Sequence, residues 1–129
     1  METDAQRTEL DRLTERIIGC AFEVSNTLGC GFFEKVYENA LAVELRRAGV
    51  RVEQQRPIQV RYKDELVGEG VLDLLAEDAV IVEVKALDEL NEPHTAQCLN
   101  YLKATEHSVC LLFNFGRPRL QIKRLVRDF

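Results

Sequence analysis

Two charged side chains lie inside a segment that otherwise reads as a buried β-strand. Residues 80–85 have the sequence Val-Ile-Val-Glu-Val-Lys, so aliphatic residues surround Glu83 and Lys85. Side chains alternate across a strand. Ile81, Glu83 and Lys85 therefore share one face, and Val80, Val82 and Val84 share the other. Ionised groups are costly to bury without a partner. The segment therefore predicts a strand with one packed face and one face available for chemistry.

A third charged residue lies in another aliphatic run ten residues upstream. Asp73 is the central residue of Val-Leu-Asp-Leu-Leu, at 71–75. An Asp followed by Glu-x-Lys on the next strand is typical of a metal-dependent phosphodiesterase, because carboxylate oxygens are the ligands that magnesium prefers. The alternative is that these charges occupy edge or solvated positions. The aliphatic residues on both sides favour the functional interpretation.

Whether the two acids meet depends on the loop between their strands. A two-residue loop would place Asp73 on the face opposite to Glu83. A three-residue loop, residues 77–79, would pair Ala76 with Val80 and bring Asp73 opposite Glu83. Because a slip of one residue moves every side chain to the other face, the phosphodiesterase interpretation requires the longer loop or an equivalent bulge.

The acids and the lysine resemble the motif of the PD-(D/E)XK nuclease superfamily. Asp73 matches its first acid, Glu83 its second acid and Lys85 its lysine, although Leu72 stands where the motif has proline. The similarity extends over roughly residues 15 to 127.

Two further motifs strengthen the resemblance. Residues 31–37, Gly-Phe-Phe-Glu-Lys-Val-Tyr, are similar to the Gly-x-x-Glu-x-x-Tyr (GxxExxY) signature of one small bacterial family within the superfamily. Residues 97–101, Gln-Cys-Leu-Asn-Tyr, resemble the Gln-x-x-x-Tyr element of its RecB-like exonuclease branch.

The resemblance implies a metal-dependent nuclease that hydrolyses phosphodiester bonds, with DNA as the expected substrate. It implies that Mg2+ or Mn2+ is held by Asp73, Glu83 and the carbonyl of Val84, and that Glu34 completes the ligand set or holds a second ion. Lys85 would lie beside the attacking water.

The resemblance also gives roles to two residues of the third helix. Gln97 would bridge Lys85 or the water to the substrate, and Tyr101 would pack beside it. His94 shares their helix face but is expected to cap or solvate the helix start, so it is excluded from the ligands.

The implied fold is α/β, with a restriction-endonuclease-like αβββαβ core and a mixed central sheet flanked by helices. Apolar periodicity predicts the matching order of elements. Pro57 marks the start of the first strand or a sheet edge, and Gly68 and Gly70 indicate a bulge or a close backbone approach. The predicted elements are helices 5–28, 33–48 and 92–107 and strands 57–62, 66–76, 79–85, 109–115 and 120–126.

Length and composition fit a single nuclease-like domain over residues 1–129. No stretch approaches the roughly 20 apolar residues of a membrane span, and the polar N-terminus does not resemble a signal peptide. We therefore expect a cytoplasmic protein that does not contact membranes. The four cysteines form no Cys-x-x-Cys pair, so no zinc or iron–sulfur site is indicated.

The net charge of -5 argues against tight nonspecific binding to nucleic acid. Residues 117–129, however, contain five basic residues and one acid. Within this segment Arg119, Lys123 and Arg124 are candidate phosphate contacts. The alternative is a solvated basic edge strand, because charge at an edge discourages pairing with other chains.

Two other functions remain open from the sequence. The chain could be a catalytically silent nuclease-fold module that binds or regulates with an unidentified protein partner, and its small size and acidic charge favour this alternative. It could also act on a smaller phosphodiester than a polymer. A homodimer is compatible with either function.

Overall fold

The computed structural model describes residues 3–127, so Asp128 of the basic C-terminal segment lies outside the described residues. Two helices precede three strands, and a third helix precedes two more, which confirms the predicted order. The elements are α1 (Asp4–Leu28), α2 (Glu34–Arg47), β1 (Val52–Tyr62), β2 (Glu65–Ala76), β3 (Val80–Lys85), α3 (Glu92–Thr105), β4 (Val109–Asn114) and β5 (Gln121–Val126).

The five strands form one mixed sheet in the order β1-β2-β3-β4-β5. Neighbouring strands are antiparallel except β3 and β4, which are parallel and joined through α3. A parallel pair needs such a crossover because its strands start at the same edge. The mixed sheet flanked by helices is consistent with the predicted restriction-endonuclease-like fold.

Apolar clusters cover both faces of the central strands. On one face, Val80, Val82 and Val84 pack with residues of α1 and α2. On the other face, Ile81 packs with Cys98 and Leu102 of α3 and with Cys110 and Leu112 of β4. Because β3 is covered on both faces, its sequence is aliphatic almost throughout.

The β1–β2 hairpin is longer than the sequence predicts. β1 begins at Val52, five residues before Pro57, and it lies at the edge of the sheet, where a proline is tolerated. The register shifts near the hairpin end, because Val60 pairs with Gly68 and the next residue pairs with Leu66. The bulge therefore falls beside Gly68, as the sequence indicates.

The helix ends follow ordinary capping chemistry. Thr3 and Gln6 form a capping box at the start of α1, and Gly29 ends that helix with φ 68°. Asn91 and His94 form the corresponding box of α3, in which His94 Nδ1 accepts the Asn91 N–H at 3.2 Å. His94 therefore acts as a cap, as expected. Within residues 3–127, no helix has the length and apolar character needed to cross a bilayer.

Candidate active site

The turn between β2 and β3 brings the two acids together. Ala76 pairs with Val80, and the Ala79 N–H donates to the Ala76 carbonyl at 2.9 Å. The loop therefore contains three residues, 77–79, of which the first two have positive φ angles. This is the register that the phosphodiesterase interpretation requires.

Each carboxylate of Asp73 and Glu83 accepts a backbone N–H from the neighbouring strand. The Asp73 N–H donates to Glu83 Oε2 at 2.9 Å, and the Val84 N–H donates to Asp73 Oδ2 at 2.9 Å. Each carboxylate uses one oxygen in these bonds and keeps its second oxygen for another ligand. We refer to Asp73 and Glu83 as the acid pair.

Glu83 lies deep in the fold with only 2% of its surface exposed. Burial, followed by repulsion from Asp73, raises its pKa to about 8. Burial also raises the pKa of Asp73, although the hydrogen bond from Val84 opposes that change. The Lys85 ammonium lowers the pKa of both acids, but burial has the larger effect. Without a bound cation, Glu83 is therefore largely protonated at neutral pH.

The backbone around Lys85 is fixed by the end of β4. Lys85 is half-buried and pairs with Asn114, and the Phe115 N–H donates to the Lys85 carbonyl at 2.8 Å. The fully buried Asn114 side chain accepts the Leu87 N–H at 2.8 Å and donates to the Leu87 carbonyl at 2.9 Å. A Cβ at Gly116 would lie 2.2 Å from that carbonyl oxygen, so glycine is required there.

Helix α2 contributes two carboxylates, and the deeper one is not the residue that the sequence motif emphasises. Glu34 is exposed, whereas Glu38 is 3% exposed. The Glu38 carboxylate accepts hydrogen bonds from Gln54 at 2.9 Å and Gln55 at 3.0 Å. Both glutamates raise the pKa of Asp73, and Glu38 has the larger effect. Sequence reasoning therefore missed Glu38 as a neighbour of the acid pair.

An unusual backbone conformation lies opposite Asp73 on the edge strand. Gln55 has φ 54°, which is uncommon for a residue other than glycine. Pairing is regular at Gln54–Leu74 and Arg56–Leu72 on either side of it. Such local strain often accompanies functional sites. Here it accompanies the bond from the Gln55 side chain to Glu38.

Helix α3 brings Tyr101 close to the acid pair and leaves Gln97 exposed. A Cβ at Gly70 would lie 3.1 Å from Tyr101 Cε1, so the glycine makes room for the ring. Burial raises the Tyr101 pKa, and the charges of Glu83 and Asp73 add to this effect. Gln97 lies one helical turn earlier on the surface.

The comparison with protein families decides the classification. The model of the PD-(D/E)XK nuclease superfamily matches residues 11–125. The chain belongs to this superfamily. No curated protein and no solved structure is significantly similar to the chain.

Divalent metal ions are the general cofactors of PD-(D/E)XK nucleases, and the donors present suit such an ion. Within residues 3–127, no group of three or more His, Cys, Asp or Glu side chains is arranged to hold a metal. Mg2+ commonly binds only one or two carboxylates and keeps several waters or substrate oxygens. The acid pair fits that requirement without a third side chain. The exposed Glu34 is not part of such a group.

The basic residues of β5 lie on different faces of the sheet. Lys123 donates to Thr95 of α3 at 3.3 Å, whereas Arg124 pairs with Asp11 of α1 at 2.9 Å. Arg119 is exposed in the preceding loop. The structure therefore does not gather Lys123 and Arg124 on one side of the sheet, because neighbouring strand residues point in opposite directions.

Proposed function

We propose that the protein is a metal-dependent nuclease that hydrolyses phosphodiester bonds in DNA. The observation that carries the proposal is the acid pair beside Lys85. Burial favours the neutral form of Glu83, and a bound cation would favour its ionised form. A structural ion pair alone does not account for two carboxylates, one buried and one half-buried, next to a single ammonium. Membership of the PD-(D/E)XK superfamily supports the same chemistry.

In this proposal Asp73, Glu83 and the carbonyl of Val84 hold Mg2+ or Mn2+. When bound, the ion neutralises charge on the phosphate oxygens and favours the hydroxide form of the attacking water. The Glu34 carboxylate contributes negative charge beside Asp73 from the surface of α2. Glu38 holds α2 against β1 through its bonds to Gln54 and Gln55.

Lys85 orients the attacking water and stabilises its negative charge. The hydrogen bonds around Asn114 support this role because they fix the backbone that follows Lys85. Gln97 bridges Lys85 or the water to the substrate, and Tyr101 packs beside the scissile phosphate. The exposed position of Gln97 and the closeness of Tyr101 to the acid pair are compatible with these roles.

We further propose that the chain belongs to the GxxExxY branch and carries a RecB-like Gln-x-x-x-Tyr element. A structural role for each end of the first motif supports this assignment. Gly31 has φ 113°, which favours glycine, and Tyr37 is fully buried with its ring stacked on Phe115 at 5.0 Å. Tyr37 thus connects the start of α2 to the strand beside Lys85.

Substrate binding would draw on the exposed Arg119, Lys123 and Arg124 as phosphate contacts. Because the last two side chains lie on different faces of β5, we expect them to contact different segments of the nucleic acid. Each phosphate contact should steepen the dependence of affinity on salt.

The proposal is tested with purified protein on labelled single- and double-stranded DNA, in EDTA, Mg2+ or Mn2+. The wild type should cleave only with metal, and Asp73→Asn should lose cleavage. Glu69→Gln is the matched control, because Glu69 is an exposed carboxylate on the same strand. Equal cleavage by wild type and Asp73→Asn would refute the site. Absence of cleavage with every metal, together with copurification of a partner, would favour the silent binding module.

A further inference from the structure

Two aromatic side chains are exposed at the start of α2. Phe33 is 88% exposed and Phe32 is 50% exposed. Phe33 also occupies the N-cap of α2, where Ser, Thr, Asp or Asn is favoured because its side chain can bond the first helical amides. The helix has no side-chain cap. Neither core packing nor capping therefore explains an aromatic residue at this position.

The loop that carries these rings is held in place by contacts with Tyr37. The Tyr37 hydroxyl donates to the Gly29 carbonyl at 2.7 Å and accepts the Phe32 N–H at 3.2 Å. The Phe32 ring meets the Tyr37 ring edge-on, with 6.2 Å between centroids. Because the loop is already ordered, a ligand that binds its rings loses little conformational entropy.

The same contacts connect the rings to the candidate active site. The Tyr37 ring stacks on Phe115, whose N–H donates to the Lys85 carbonyl at 2.8 Å. Glu34 follows Phe33 directly, and its carboxylate is close enough to affect Asp73 electrostatically. The loop that carries the exposed rings is therefore joined, through Tyr37 and Phe115, to the end of β3 that carries Lys85.

The charges near the start of α2 do not favour strong binding of nucleic acid. Asp73, Glu34 and Glu38 are acidic, and the chain carries a net charge of -5. Stacking of a base on an aromatic ring is insensitive to charge and strengthens binding by about 5- to 150-fold per base. A base offers its flat face to a side chain only when it is unpaired.

Building on the proposed nuclease function, we propose that Phe32 and Phe33 stack against an unpaired base of the substrate. The protein then prefers single-stranded DNA or unpaired ends to a continuous duplex. The outer ring, Phe33, supplies most of the stacking, and Phe32 supports it from the Tyr37 side.

Fluorescence anisotropy in EDTA tests the proposal, because it measures binding without metal or cleavage. The probes are a short labelled single strand, the same strand with abasic sites, and its full duplex. Phe33→Ala should weaken binding of the intact single strand by about 5- to 150-fold. Phe33→Trp should restore it, and Val43→Ala, which alters an exposed apolar residue on the same helix, should leave it unchanged.

The abasic strand should bind the wild type as weakly as the intact strand binds Phe33→Ala, with no further loss in Phe33→Ala. Unchanged single-strand affinity in Phe33→Ala would overturn the proposal, and so would an equal loss for the duplex. If Phe33→Ala instead converts a dimer into a monomer with unchanged affinity, the rings form an interface between two copies, and the proposal is wrong.

The outcomes also separate this inference from the nuclease function. Binding of single strands through Phe33 without cleavage in any metal would retain the stacking site and refute the nuclease. Cleavage that depends on Asp73, with no effect of Phe33→Ala, would retain the nuclease and refute the stacking site.

Discussion

Replacing Glu83 with glutamine is expected to stabilise the metal-free protein at neutral and alkaline pH. Glutamine resembles the neutral acid, and its carbonyl oxygen can still accept the Asp73 N–H. Its neutral amide group also removes the charge repulsion with the Asp73 carboxylate. The substitution therefore removes a buried charge while it keeps the hydrogen bond.

The size of the effect follows from the pKa of Glu83. Burial raises that pKa from 4.5 to about 8 in the folded protein. Below pH 4.5 the side chain is neutral in both states, so it does not affect the comparison. As the pH rises, the unfolded chain loses the proton first, and the folded state becomes less stable by about 1.4 kcal/mol per pH unit until pH 8. The total is roughly 5 kcal/mol, and it remains constant at higher pH.

Urea unfolding in EDTA between pH 4.5 and 9 measures this difference. The free energy of unfolding of Glu83→Gln should match that of the wild type near pH 4.5 and exceed it by up to roughly 5 kcal/mol near pH 9. Glu69→Gln should show no such pH-dependent gain. A difference that stays constant across this range, or a wild type that is more stable at pH 9, would refute the assignment of Glu83 as a buried acid with a raised pKa.

Two further substitutions test residues on either side of the acid pair. Lys85→Ala should keep the fold and the thermal shift with Mn2+ but lose about 100- to 10,000-fold in cleavage rate, because the Lys85 ammonium acts on the water. Lys103→Ala, on the surface of α3, is the control. Cleavage by Lys85→Ala at the wild-type rate would mean that Lys85 is only a counter-charge. Asn114→Ala should lower the free energy of unfolding, measured in urea, by about 2 to 5 kcal/mol, because it leaves the Leu87 N–H and carbonyl without partners. Asn100→Ala, at an exposed position, is the control. A loss below about 1 kcal/mol in Asn114→Ala would contradict the hydrogen bonds described.

The sequence predicts the core of the site well because strand alternation is a strong constraint. The pattern of residues 80–85 identifies Glu83 and Lys85 on one face, and the structure retains that face. The sequence does not choose between a two- and a three-residue loop, since Glu77 and Asp78 suit either turn. Packing decides: only the longer loop places Leu74 and Val82 together in one apolar cluster.

Long-range contacts explain where the sequence reasoning fell short. Residues 53–56 are all polar and show no apolar alternation, so the first half of β1 is recognisable only from its pairing with β2. Glu38 was missed because Glu34 belongs to the motif. Its spacing of three and seven residues from the buried Leu41 and Leu45 was a signal that Glu38 faces inward.

Electron paramagnetic resonance of Mn2+ tests the central claim most directly, because it counts ions bound to the acid pair independently of cleavage. Wild-type protein titrated with Mn2+ near pH 8 should bind the ion at the acid pair, and Mg2+ should compete for it. Asp73→Asn should lose this binding, whereas Glu69→Gln should retain it. Equal Mn2+ binding by Asp73→Asn and wild type would contradict the claim that the acid pair is the metal site of a nuclease.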